Sequence, residues 1–155
     1  MKGYTFVEIL VVLLIMTIFL GVGVVSFRGF ERRQEVEAGA REIISNLRLA
    51  QNEASAGVKP AGCVGELKGH RFRAISGSPS GYQVHAVCDN AVLVKESFLA
   101  GSVSLTETGG DILFNTLAQG VDLTGSGRIL ITSSSENRCV GITVTEEGEI
   151  RSDDI

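Results

Sequence analysis

Three cysteines, Cys63, Cys88 and Cys139, are all that the sequence holds, and no two of them stand only two residues apart. That spacing excludes a C-x-x-C redox motif and the paired ligands of a zinc site. Catalytic patterns are missing too. Residues 77–81 read GSPSG, which puts Pro79 where a G-x-S-x-G elbow needs its serine, and Gly125 and Gly127 lack the third glycine of a dinucleotide loop. His85 alternates with Val84 and Ala86 as a strand-face residue does, and His70 belongs to no recognisable constellation. The acidic pairs Glu146 with Glu147 and Asp153 with Asp154 lack the ordered ligand loop of a calcium site. These absences exclude a recognisable enzyme, and no cofactor or metal is expected.

Charge is missing over one long run. Ile9 to Val25 (ILVVLLIMTIFLGVGVV) carries no ionisable side chain and, with Ser26 and Phe27, approaches the ~20 residues that a bilayer span requires. Thr17 alone gives it no polar face at a period near 3.6, so a soluble core helix fits poorly. A secretory signal peptide fits no better, because the run exceeds the usual 7 to about 15 residues, Glu8 stands at its start and no A-x-A site follows. The expectation is a membrane helix. Lys2 before it and Arg28, Arg32 and Arg33 after it would, by charge bias alone, keep the following domain in the cytoplasm.

Gly3 is followed by Tyr4, Thr5, Phe6, Val7 and Glu8, directly before this run. The pattern resembles the prepilin cleavage and methylation motif. The resemblance implies that an inner-membrane prepilin peptidase cuts after Gly3 and methylates the amine of Tyr4, with Glu8 as the assembly glutamate. Phe is more usual than Tyr at the first mature position. The partners implied are the peptidase, other pilin or pseudopilin subunits, an inner-membrane assembly platform and membrane lipid. The implied location is the bacterial cytoplasmic (inner) membrane, single-pass with the headpiece outside the cytoplasm, and then the filament. Glu8 also has a reading of its own, since an unpaired carboxylate carried to mid-bilayer costs about 2.5–3.5 kcal/mol and needs a cation. A neighbour's N-terminal amine would supply one.

Beyond the run, Val36, Ala40, Ile43, Leu47, Ala50 and Ala54 recur at steps of three and four and form one apolar stripe. Five Arg and five Glu between Arg28 and Ala56 give the other face mixed charge. Gly57 offers a C-cap and Pro60 blocks continuation, so the helix should end near Ala56. Short alternating runs follow, predicting strands at His70 to Ser76, Tyr82 to Cys88, Val92 to Leu99, Ser102 to Glu107, Arg128 to Thr132, Arg138 to Thr145 and Glu149 to Arg151. The predicted fold is α+β: a long N-terminal α-helix, membrane-embedded in its first half, packed by its second half on an antiparallel β-sheet headpiece. Its segments are a leader (1–3), a transmembrane and assembly helix (4–27), an amphipathic continuation (28–56) and the β-rich headpiece (57–155).

The stretch AREIISNLRLAQNEA, with ILFNTLAQGVDLTGSGRILIT and NRCVGITVTEEGEIR, resembles minor pilins and pseudopilins of the GspH and FimT type. That resemblance implies a minor structural subunit of a type IV pilus or type II secretion pseudopilus. The rival is a single-pass envelope-anchored β domain that binds a partner without polymerising. Nucleic acid is an unlikely partner, because residues 57–155 hold eight Lys plus Arg against twelve Asp plus Glu. Lys68, His70, Arg71 and Arg73 are the one local basic group. At most one intramolecular disulfide can form. Cys63 with Cys88 would tie a loop to a strand end, with Cys139 as the alternative partner or a free thiol.

Overall fold

The computed structural model describes residues 5–101, 103–107, 110–133 and 139–154, with the side chains of 21–32, 107 and 154 outside the description. Helical backbone, α1, covers Phe6–Ser55, and its described side chains fall in two stretches, 6–20 and 33–55. The chain divides into two compact units, Met1–Gln34 and Glu35–Ile155. The second helical stretch thus belongs with the strands.

Two features of the predicted fold are overturned. Among the described residues no helix is long and apolar enough to cross a membrane, so neither the membrane-embedded first half nor the single-pass inner-membrane location is supported. Among the described side chains the unbroken apolar stretch is 6–20, about 22 Å at 1.5 Å per residue against a ~30 Å hydrocarbon core, and residues 33–55 are amphipathic. The described side chains of α1 thus form two shorter stretches, 6–20 and 33–55, and neither is a membrane-spanning helix. The second correction is that two antiparallel sheets take the place of one.

The first sheet has five strands, β1 (Gly69–Ile75), β2 (Gly81–Val87), β3 (Ala91–Phe98), β5 (Ile112–Asn115) and β6 (Val121–Leu123), in the order β3-β2-β1-β5-β6. The second has four, β4 (Val103–Glu107), β7 (Arg128–Ser133), β8 (Cys139–Val144) and β9 (Ile150–Asp154), in the order β4-β7-β8-β9. Alternation decides what faces inward. His70, Phe72 and Ala74 on β1 are buried with Tyr82, Val84 and Ala86 on β2, while the residues between them are more exposed. The second sheet turns Leu105, Ile129, Ile131, Val140, Ile142 and Val144 inward.

One hydrophobic cluster joins both sheets to the α1 stripe Val36, Ala40, Ile43, Leu47, Ala50 and Ala54. Phe72 stacks on Tyr82 with ring centroids 5.3 Å apart in the middle of it. Gly69 permits the close β1–β5 approach, because a Cβ there would collide with the carbonyl oxygen of Phe114.

Candidate functional site

Gly3 and Tyr4, the expected cleavage and methylation positions, lie outside the described residues. Glu8 is described, in the first turn of α1. Its N–H donates to the Thr5 carbonyl oxygen at 3.1 Å and also reaches Thr5 Oγ1 at 3.3 Å. Thr5 therefore acts as an N-cap, and Thr5-x-x-Glu8 has the spacing of a capping box. The T-x-x-E signal was in the sequence, yet the motif reading passed over Thr5. A carboxylate at this position also complements the partial positive charge of the helix start.

From Ile9 to Leu20 the side chains are almost wholly apolar and all exposed, the large apolar ones from Ile15 at 47% to Phe19 at 73%. Thr17 is the one hydroxyl in the stretch 6–20, and it donates back to the Leu14 carbonyl oxygen at 2.8 Å. A helix that is apolar all round is built to be covered by something else. Fully burying one such Leu, Ile, Val or Phe is worth about 1.5–3 kcal/mol.

In the second unit a buried polar group locks α1 to the first sheet. Asn46 Nδ2 donates to Tyr82 Oη and to the Glu42 carbonyl oxygen, each at 2.7 Å. Tyr82 Oη donates to Glu42 Oε1 at 2.8 Å, and Lys95 Nζ donates to Asn46 Oδ1 at 2.7 Å. Burial, with the hydrogen bond to Glu42, pushes the Tyr82 hydroxyl up to about 12. A phenol that stays protonated remains a donor at any physiological pH.

The basic group at Lys68, His70, Arg71 and Arg73 does not form one surface. His70 is fully buried, whereas Arg71 and Arg73 stand on the opposite face of β1 beside Asp111. Arg73 donates to both Asp111 carboxylate oxygens, at 2.7 and 2.6 Å, and holds that carboxyl below its usual range. His70 Nε2 lies 3.5 Å from Glu53 Oε2, and neither His70 nitrogen finds a hydrogen-bond partner among the described residues. Burial lowers the His70 pKa against the opposing pull of Glu53. His85 sits beside Arg71 and Arg73 on the outer face, and burial and these two cations lower its pKa.

Cys63 and Cys88 form a disulfide with their Cα atoms 5.8 Å apart, and Cys139 is a free, half-buried thiol. The bond ties the loop after α1 to the end of β2. Asn90 braces the same loop, accepting from the Val64 N–H at 2.9 Å and donating to the Gly62 carbonyl oxygen at 3.0 Å. Among the described residues, no three or more His, Cys, Asp or Glu side chains converge as metal ligands would. No family model, curated protein or solved structure matches this chain.

Proposed function

We propose that this chain is a minor structural subunit of a type IV pilus or type II secretion pseudopilus, cut after Gly3 by a prepilin peptidase and assembled through its N-terminal helix. One observation carries the reading: an exposed, all-round apolar helical stretch begins at a capped turn whose single charge is Glu8. A filament of such subunits buries these stretches against one another, which offsets the cost of exposing them to water. Glu8 then needs a cation inside the bundle. The free amine produced on Tyr4 of an adjacent subunit fits, because it arrives at the same level as the helix start and carries the charge that Glu8 lacks. In this role Glu8 sets axial register more than strength, since a pair of buried charges gives little net stabilisation over an apolar contact.

Intact-mass spectrometry of the protein from cells with and without the peptidase tests the processing step. The expected result is loss of Met1 to Gly3 and gain of one methyl group only when the peptidase is present. An uncut N-terminus in peptidase-positive cells overturns the reading. Glu8→Ala tests assembly: the processed protein should persist at wild-type level while its filament content falls at least tenfold. Equal incorporation would remove Glu8 from the mechanism.

A further inference from the structure

β3 is an outer strand of the five-stranded sheet and, among the described residues, has no neighbour on one side. Lys95 and Ser97 stand on its α1-facing side, opposite Val84 and Tyr82 of β2, and bond to Asn46 and Glu42 of α1. Beside that open edge, a groove of about 530 Å³ runs between Lys95 and the exposed flank of α1. Arg41 and Arg48 supply its charge, with Lys95, while Ile44 and Leu49 supply apolar floor, and no carboxylate lines it. The positive charge is poorly compensated. Among the described residues, Arg41 has a 3.7 Å exposed contact with Glu37, and Lys95 is bonded to a neutral amide.

We propose that β3 and this groove bind an extended acidic peptide segment of a partner protein, added to the sheet as a further strand. The open β3 edge offers main-chain hydrogen bonds to a new strand lying about 4.8 Å away. Alternate side chains of that strand, roughly 6.8 Å apart, fall on the α1 side, where the groove lies. Arg41 and Arg48 are separated by about 10 Å along the helix axis, so their long side chains reach carboxylates on such a strand. Guanidinium groups suit them because they hold carboxylates with two parallel bonds. Apolar side chains between the acids meet Ile44 and Leu49. The site lies wholly within the unit Glu35–Ile155 and holds whether or not the chain is a filament subunit.

The test uses the full chain in dodecyl maltoside and a labelled probe peptide, Thr-Glu-Val-Glu-Val-Glu-Thr, with a counterpart in which Lys replaces each Glu. Fluorescence anisotropy should show the acidic peptide binding at least tenfold more tightly than the basic one. Arg48→Glu combined with Lys95→Glu should weaken it tenfold or more and reverse the preference, and bound peptide should slow amide exchange along β3. Arg48→Glu alone, on an exposed helix face, keeps the test valid should the double variant misfold. Absence of binding, equal affinity for the two peptides, or unchanged β3 exchange overturns the proposal. So does self-association of Lys95→Val with no peptide effect at β3, which would mean that Lys95 only guards an open edge.

Discussion

Ile15 and Ile43 are both helical isoleucines, yet the first is 47% exposed and the second is fully buried. Leu13 and Leu47 repeat the contrast, at 58% and 0%. In the unit Glu35–Ile155 the apolar residues of α1 occupy one stripe, and the strands of the same chain cover it. In residues 6–20 they occupy every direction, and no described part of that unit covers them. A stripe can be satisfied by one neighbouring sheet. A surface that is apolar all round needs several neighbours, which is why the two regions call for different kinds of partner.

The sharpest way to break this comparison is to truncate one leucine from each region. Leu47→Ala should cost about 2–5 kcal/mol in urea unfolding of the second unit, from lost burial and the cavity left behind. Leu13→Ala should leave that unfolding unchanged while reducing filament content. A large effect of Leu13→Ala on the monomer would mean that the stretch is already covered within the chain. Reducing the disulfide comes next, because Cys63 and Cys88 close a loop of sequence separation 25. Cys88→Ser should lower stability by about 3 kcal/mol on loop-entropy grounds, read from the same unfolding curves under non-reducing conditions.

A smaller effect sharpens the picture of how the stripe is held. Tyr82→Phe removes the hydroxyl shared by Asn46 and Glu42 while keeping the stack on Phe72. The expected loss is about 1–3 kcal/mol, since the buried amide keeps its other bonds but loses one partner. A neutral outcome would show that water replaces the hydroxyl.

The smallest effect is a pH dependence centred on His70. Its pKa is lowered in the folded chain, whereas an unfolded histidine titrates near 6.5. Below about pH 6.5 the unfolded chain therefore binds more protons than the folded one, and stability falls on acidification. Urea midpoints should drop between pH 7.5 and 5.5, and His70→Asn should flatten that part of the profile. A rise on acidification would instead mean that protonation strengthens the His70–Glu53 contact. Asp111 acts separately: its lowered pKa gives stability that is present above the carboxylate range and lost only as pH falls through it.

Much of the second unit was readable from pattern. All six residues of the α1 stripe are buried, and the seven alternating runs all contain strands, with ends displaced by a few residues. β5 and β6 were missed because four and three residues are too few to show a period. The division into two sheets was not readable either. β4 follows β3 in sequence but pairs with β7, and nothing local in either strand names that partner. His70 was grouped with Arg71 and Arg73 by proximity along the chain, although a two-residue period already puts it on the other face.

For the candidate site, the sequence alone determined where charge is absent, where Glu8 stands, and which residues of α1 share a stripe. These are local or periodic properties, set by side-chain order and backbone geometry. Only the tertiary structure decided that Cys63 pairs with Cys88, that Asp111 lies against both Arg71 and Arg73, and that Tyr82 joins Asn46 and Glu42. It also decided that residues 6–20 and 33–55 meet opposite fates. Each of those outcomes depends on groups far apart along the chain, whose encounter is fixed by the packing of the whole core.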